Sequence, residues 1–221
     1  MDSPDGIVWW RVLGPLQVRM DGAWAGLGAP KWRAVAAALL AEPDEVVSTG
    51  RLVSELWGDD PPTAARKLVS GYVLRLRRLI GDREGRVLVT QPPGYRLAIA
   101  RADVDAGRFE ELAAEGRRAL DDDDAGRAAR LCAEALGLWR GAALADVPRG
   151  TLVAAEAGRL EELRLETAER RIEAELRCGG GAGLVPELRR LTAAHPVRER
   201  FWHQLMRALE GCGRQAEALA R

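Results

Sequence analysis

Basic side chains concentrate in one short stretch of a chain whose formal net charge is zero. Between residues 62 and 86, seven basic residues stand against two acidic ones, and the basic set is Arg66, Lys67, Arg75, Arg77, Arg78, Arg83 and Arg86. Guanidinium groups form charge-assisted, often bidentate hydrogen bonds with carboxylates, phosphates and base edges. This stretch is therefore a candidate docking surface for an anionic partner. An ordinary solvated helix face is the alternative interpretation.

The spacing within this stretch predicts a helix with two different faces. Thr63 is the expected N-cap and Gly81 the expected stop. At 100° per residue, one face is apolar and consists of Ala65, Val69, Tyr72, Val73, Leu76 and Ile80. The opposite face carries Lys67, Gly71, Leu74 and Arg78, flanked by Ser70 and Arg75. An apolar Leu74 on the polar face fits either a protein contact or, in a DNA groove, a thymine methyl group.

The elements around this helix complete a recognisable order. Two short apolar runs, 7–13 and 16–20, with an Asp21-Gly22 turn predict a small antiparallel sheet. A helix is expected from Pro30 to Ala41, and a second one, capped by Thr49, ends at Trp57 before the 58–62 breaker run. Residues 87–90 and 95–99, joined by Pro-Pro-Gly, predict a β-hairpin. Sheet, three helices and hairpin form the order of a winged helix-turn-helix, whose third helix enters the DNA major groove.

Other cations in this half are secondary candidates. Lys31, Arg33, Arg51 and Arg96 lie at expected helix starts or in the hairpin. Helix N-terminal amides and guanidinium groups both favour phosphate, so each is a candidate backbone contact. For any one of them an ordinary surface cation is an equally good interpretation.

The second half has the hydrophobic periodicity of a series of short helices. Apolar periodicity predicts helices over 109–120, 125–139, 154–177, 184–194, 198–210 and 215–221. A short echo around Cys178 and Cys212, which lie 34 residues apart, matches the tetratricopeptide period. The prediction is therefore a mainly α protein with a small β component. Its expected domains are a winged helix over 1–101 and an all-α tetratricopeptide-like bundle over 102–221.

Several classes of protein are disfavoured by what the sequence contains. It has no apolar run of the roughly 18 residues that a membrane span needs and no secretory signal pattern, so a cytoplasmic protein is expected. Three scattered cysteines and two histidines argue against a zinc site. The acidic run Asp121–Asp124 has the composition of a solvated turn and lacks the alternate spacing of a calcium loop. With no catalytic constellation, we expect no enzyme activity and no cofactor.

Four motifs of the first half and four of the second resemble one family. The first set is LGPLQV (13–18), GAPKWRAVAAALL (28–40), RLVSELWGDDPPTAARKLVSGYVLRLRRLIG (51–81) and PPGYRL (92–97). The second set is DAGRFEELAAEGRRAL (105–120), ALGLWRGAALADV (135–147), RLEELRLETAERRIEAEL (159–176) and HPVRERFWHQLMRALEGCGRQAEAL (195–219). Together they resemble the Streptomyces antibiotic regulatory proteins, with an OmpR-like winged helix followed by a bacterial transcriptional activation domain.

That resemblance implies a transcriptional activator of secondary-metabolite genes. Its members bind direct repeats near the −35 promoter element side by side and recruit RNA polymerase holoenzyme, including its sigma factor. The DNA-reading role falls here on Lys67, Ser70, Gly71, Leu74, Arg75 and Arg78, with Gly94, Tyr95 and Arg96 in the wing. The loop before the third helix, with Asp59 and Asp60, is where OmpR-like proteins touch polymerase; a solvated turn is the alternative there.

The sequence also departs from the family pattern. Lys67 stands where a polar residue, often Asn, is usual, Leu74 where Ser is frequent, and Trp32 where Gln is frequent. We therefore expect a different base preference, and a Trp32 that packs. The family pattern continues its last helix past Arg221, so a longer parent chain is expected. A helical protein-interaction module that does not read DNA is the alternative function.

Overall fold

Residues 9–20 and 22–211 are described by a computed structural model, in which the chain divides into two units. One unit is drawn from residues 1–108 and 138–162, and the other from 109–137 and 163–221. Both units are thus assembled from two separate stretches of chain. The predictions that concern Asp21, Cys212 and the helix over 215–221 lie outside the described residues, and the domain boundary at 101/102 stays a prediction.

The first unit begins with the predicted small antiparallel sheet. Its strands are β1 (Trp10–Arg11), β2 (Gln17–Met20) and β3 (Ala23–Gly26), in the order β1-β2-β3. The register pairs Trp10 with Val18 and Met20 with Ala23. Trp10 and Val18 are both buried, so this pair fixes one face of the sheet against the core.

Three helices and a second sheet follow. They are α1 (Pro30–Ala41), β4 (Val46–Ser48), α2 (Thr49–Trp57), α3 (Ala65–Leu79), β5 (Leu88–Gln91) and β6 (Gly94–Leu97). The second sheet has the order β4-β6-β5 and is antiparallel throughout. The predicted helix-helix-helix-hairpin order is confirmed. Strand β4 was not predicted, because three residues carry too short a pattern and its pairing partner β6 lies nearly fifty residues away.

The predicted caps of α2 and α3 are wrong. Ser48, in extended conformation, is the N-cap of α2, and its hydroxyl accepts a hydrogen bond from the Arg51 amide at 3.1 Å. Thr63 does not cap α3, since the Ala65 amide donates to the Pro62 carbonyl at 2.8 Å and encloses Thr63 in a turn. The N-cap of α3 is Ala64, which has no side-chain acceptor.

Five further α-helices follow within the described residues. They are α4 (Asp105–Asp121), α5 (Ala125–Gly137), α6 (Thr151–Arg177), α7 (Gly181–Ala194) and α8 (Glu199–Gly211). The fold-class prediction, mainly α with a small β component, is confirmed. Among the described residues, no helix is both long enough and apolar enough to cross a bilayer.

Residues 138–162 return to the first unit and form hydrogen bonds with the loop between β1 and β2. The Arg140 amide donates to the Leu13 carbonyl at 2.8 Å and the Leu144 amide to the Val12 carbonyl at 2.9 Å. In the other direction, the Leu16 amide donates to the Asp146 carboxylate at 2.7 Å, across 130 positions. Backbone groups near the start of the chain therefore depend on partners from far later in the sequence.

Glu55 ties this returning segment to α2. Its carboxylate accepts hydrogen bonds from the amides of Leu152 (2.8 Å) and Val153 (3.0 Å) in the first turn of α6. Those amides have no partner within the helix, and the helix N-terminus favours a negative charge. Glu55 is buried together with Leu52 and Leu56 of the same helix. Val53 is half-buried.

The second unit has an apolar core between α7, α8 and the later part of α6. Its buried members include Ile172, Leu184, Leu188, Phe201 and Leu205. Elsewhere in this unit α4 and α5 approach closely at small residues. A Cβ on Gly116 would lie 2.5 Å from the Cys132 sulfur, so this contact requires glycine. Burial raises the pKa of the Cys132 thiol and keeps it in its protonated, unreactive form.

Candidate nucleic-acid interface

Helix α3 presents a basic outer face because most of its apolar residues lie on the inner one. Ala65, Val69, Val73 and Leu76 are buried. On the opposite side Lys67, Leu74 and Arg78 are exposed, and Gly71 is half-buried. Among the described residues, neither Lys67 nor Arg78 forms an ion pair. The structure thus has the predicted apolar inner face and basic outer face of this helix. The cations of the outer face are accessible to an external partner.

The two flanking residues of this face are each engaged with a neighbour. The Ser70 hydroxyl lies 3.0 Å from the Tyr95 hydroxyl and also donates to the Arg66 carbonyl at 3.2 Å. The Arg75 guanidinium lies over the Trp32 ring at 5.1 Å from its centroid. Such a cation–π contact restrains the arginine and leaves its N–H groups available for another acceptor. Trp32 packs, as expected.

Hydrogen bonds of three helix residues, Arg77, Thr49 and Ser70, fix the hairpin to the helices. Arg77 donates from Nε and Nη2 to the Leu88 carbonyl at 2.8 and 2.6 Å, and from Nη2 to the Thr90 hydroxyl at 2.9 Å. The Thr49 amide donates to the Pro93 carbonyl at 3.1 Å. With the Ser70–Tyr95 pair, these bonds hold the wing at a set position relative to α3.

The wing residues singled out from the sequence do not share one environment. Tyr95 and Gly94 are buried, and a Cβ on Gly94 would lie 2.0 Å from the Val47 carbonyl oxygen. Gly94 therefore serves the close approach of β6 to β4. Arg96 donates to Gln91 at 3.0 Å and pairs with Asp44. The exposed wing tip consists of Gln91, Pro92 and Pro93.

The secondary cations are occupied by contacts within the first unit. Lys31 donates to the Leu56 carbonyl and lies 4.9 Å from the centroid of the Trp57 ring. Arg33 donates to the carbonyls of Leu27, Gly28 and Asp146 at 3.1, 2.6 and 2.8 Å. Arg51 forms a 2.7 Å ion pair with Glu42. These three cations therefore already have partners within the first unit, unlike Lys67 and Arg78 on the outer face of α3, which form no ion pair within the described part of the chain.

The loop between α2 and α3 is an exposed acidic turn. Asp59 and Asp60 are both exposed, and Gly58 begins the turn with a φ of 61°, which favours glycine. Neither carboxylate forms an ion pair within the described residues. These two charges are therefore available to a basic partner.

The geometry of α3 suits the major groove of a duplex. Fifteen residues span about 22 Å, and the groove, about 12 Å wide, accepts one helix. Exposed cations on the outer face match phosphates and guanine edges. Across the described residues, no group of three His, Cys, Asp or Glu side chains is arranged to hold a metal ion.

Two family models cover most of the chain. Residues 28–97 match the model described as "Transcriptional regulatory protein, C terminal". Residues 104–221 match the "Bacterial transcriptional activator domain". The first match spans α1 to the wing, and the second begins just before α4.

Individual curated proteins are similar to this chain along nearly all of its length. It is 40% identical over 209 residues to the regulatory protein AfsR of Streptomyces griseus, covering 95% of this chain and 21% of that one. It is also 40% identical to the regulatory protein DnrI of Streptomyces peucetius, covering 94% and 79%. The chain thus spans about a fifth of the first relative's length and most of the second's.

A solved structure shares the fold. Mycobacterium tuberculosis EmbR, in complex with a low-affinity phosphopeptide, superposes with a TM-score of 0.91 at 36% identity, over 97% of this chain and 57% of that one. The two family models and the relative DnrI, which is covered over most of its length, all indicate the same family. The chain belongs to the Streptomyces antibiotic regulatory protein family of transcriptional regulators.

Proposed function

We propose that this chain is a sequence-specific DNA-binding activator that binds direct repeats near the −35 promoter element. Copies bound side by side would recruit RNA polymerase holoenzyme to secondary-metabolite genes. The observation that carries the proposal is the outer face of α3, where Lys67 and Arg78 are exposed without an ion-pair partner among the described residues. The wing, bonded to α3 through Tyr95 and Arg77, follows the helix onto the neighbouring backbone.

The pairing of charges supports this assignment more than their number does. Arg33, Arg51 and Arg96 all form ion pairs with carboxylates of the same unit, at Asp146, Glu42 and Asp44. The cations of the outer α3 face are instead left to solvent. In a protein of zero net charge, such a local surplus directs the long-range attraction for phosphate to this face.

Duplex binding under a salt titration tests the proposal. Sequences selected from a random library by the chain would be compared with unselected duplex, for the unaltered protein and for Arg75→Ala and Arg78→Ala. Loss of a phosphate contact should lower the log–log salt slope by about 0.9. Loss of a guanine contact should cost about 1–3 kcal/mol and relax preference at one base pair.

Arg117→Ala is the matched control, since it removes an exposed arginine from α4 in the second unit. We expect it to leave both affinity and salt slope unchanged. A folded protein that selects no sequence and binds random duplex no better at low salt would contradict DNA reading. That result would favour the helical protein-interaction module instead.

The recruitment step is assigned to the exposed acidic turn. Asp59 and Asp60 would meet basic residues of the sigma factor, because opposite charges on two surfaces steer their association. The double variant Asp59→Asn/Asp60→Asn should bind the selected duplex normally and activate less transcription in a reconstituted assay with polymerase holoenzyme. Unchanged activation would show that the turn is only solvated.

A further inference from the structure

Leu74 is an exposed apolar side chain in the middle of a basic surface. It lies on the outer face of α3 between Lys67 and Arg78, and 48% of it is exposed. The fold leaves it uncovered within the described residues, because the buried face of α3 points the other way. A leucine at this position leaves apolar surface in water and adds nothing to phosphate attraction.

The neighbours of Leu74 leave it unobstructed. Gly71, one turn earlier on the same face, has no atom within 4 Å of where a Cβ would stand, apart from its own helix. Arg75 is drawn aside over the Trp32 ring. The Ser70 hydroxyl is directed to Tyr95. A partner that binds the outer face of α3 would therefore contact the Leu74 methyl groups directly, with Lys67 and Arg78 on either side along the helix.

The one methyl group on the base edges of the major groove is the C5-methyl of thymine. Most other groups that the base pairs present there are hydrogen-bond donors or acceptors, which a leucine would leave unsatisfied. A leucine thus favours thymine and disfavours the other three bases. The exposed Leu68 of α3, at 38%, lies toward the flank of the helix and away from the centre of the face.

We propose that Leu74 is a specificity-determining residue that reads a thymine methyl group in each half-site. This inference rests on the proposed function, since it requires α3 to lie in the major groove. It assigns the choice of base at one position to an apolar contact, whereas the arginines and Lys67 supply phosphate and guanine contacts.

Deoxyuridine substitution tests this directly, because it removes the methyl group and leaves every hydrogen-bonding atom of the base pair. Each thymine of a selected duplex would be replaced in turn and the dissociation constant measured. We expect one thymine in each half-site at which the unaltered protein loses about fourfold in affinity, as for one apolar carbon returned to water. Leu74→Ala should bind the two duplexes equally.

Leu68→Ala is the matched control and should keep the penalty, and Leu74→Met should keep it as well. Thermal unfolding would check that each variant is folded. The inference is overturned if no thymine methyl affects the unaltered protein, or if the same penalty persists in Leu74→Ala. In both cases the selected duplex is still preferred, so the proposed function stands. A chain that selects no sequence contradicts both.

Discussion

Asp105 is a carboxylate enclosed within the first unit. It accepts hydrogen bonds from the Val12 amide at 2.7 Å and from the Leu13 amide at 3.3 Å, and lies 3.5 Å from Arg140. Burial raises the pKa of Asp105 above its ordinary value, and outweighs the amide bonds and the arginine, which lower it. Its charged form is thus less stable in the folded protein than in water.

This gives a pH dependence with a definite sign. Because the folded-state pKa of Asp105 is raised, its contribution to stability is fully present below the unfolded pKa, about 3.9 for an aspartate. It is lost as the pH rises through the folded pKa. An asparagine side chain does not titrate, so the free energy of unfolding of the Asp105→Asn variant, relative to the unaltered protein, should rise as the pH increases above about 4.

Denaturant unfolding at several pH values measures this difference. Asp122→Asn removes an exposed carboxylate of a turn and serves as control. A relative stability of the Asp105→Asn protein that falls toward neutral pH would contradict the assignment of burial as the dominant cause.

The direction in which each side chain of α3 points could be predicted from the sequence. Whether that side chain already has a hydrogen-bond or ion-pair partner could not. The 100° periodicity places Lys67 and Arg78 outward from local spacing alone. Whether a polar side chain is free to bind an external partner depends on residues distant in the sequence, which local periodicity does not predict. Ser70 meets Tyr95 across 25 positions, and Arg33 meets Asp146 across 113. Both look like exposed candidates in sequence and are engaged in the structure.

At the scale of elements, two glycines near the candidate interface have opposite requirements. At Gly94 a Cβ would lie 2.0 Å from the Val47 carbonyl oxygen and 2.6 Å from the Ser48 Cα, both backbone atoms that cannot move away alone. At Gly71, in the middle of α3, a Cβ would meet no atom outside its own helix within 4 Å. The same substitution should therefore change stability in opposite directions.

We expect Gly94→Ala to destabilise the protein by more than about 2 kcal/mol, through displacement of β6 from β4. Gly71→Ala should stabilise it by about 0.5–1 kcal/mol, because alanine restricts the unfolded chain and favours the helix. Thermal unfolding of the two variants side by side tests this. Equal effects would mean that the pairing of β4 with β6 does not constrain Gly94.

The α4–α5 contact gives a second element-scale prediction. Gly116→Ala would place its methyl group 2.5 Å from the Cys132 sulfur, which is itself buried. This overpacking should cost about 1–3 kcal/mol. Cys132→Ala removes the sulfur, so the double variant should recover part of that loss.

A double-mutant cycle on unfolding free energies measures the coupling between the two positions. Residues in contact show coupling of about 0.5–3 kcal/mol. Strictly additive effects would mean that the two helices are farther apart than the contact requires.

Elements with long, regular patterns were predictable, and those that depend on pairing were not. Helix α1 begins at Pro30 and ends at Ala41 as predicted, since proline and apolar spacing are local signals. Strand β4 exists because β6 supplies its hydrogen bonds. The capping role passed from Thr49 to Ser48 because backbone conformation, rather than residue type, selects the cap.

At the scale of the whole molecule, the first unit needs residues from beyond the predicted boundary. The segment 138–162 contributes the buried residues Leu144, Val147, Val153 and Leu160. Each such side chain contributes about 1.5–3 kcal/mol when fully buried. Their sum is comparable with the net stability of a domain, about 5–15 kcal/mol.

We therefore expect a chain that ends at Arg108 to be largely unfolded, although it contains the complete winged-helix match. Circular dichroism and denaturant unfolding, compared with the full chain, would measure this. A shortened chain with the full chain's unfolding midpoint would contradict this dependence.

In the full chain, Glu55→Ala should lower the free energy of unfolding by about 1–3 kcal/mol, because it leaves two amides of α6 without their acceptor. Glu42→Ala, at an exposed ion pair, is the control and should lower it by less than about 1 kcal/mol.

The return of residues 138–162 to the first unit also sets an order of events during synthesis. The winged-helix residues leave the ribosome first, yet Glu55 and the carbonyls of Val12 and Leu13 wait for partners that follow residue 137. At about 5–20 residues per second, the ribosome takes several seconds to travel from residue 108 to residue 162. During that interval we expect the first unit to remain largely unfolded, because its core still lacks residues 138–162. The first unit, which contains α3, is thus completed only after residues 138–162 have been synthesised.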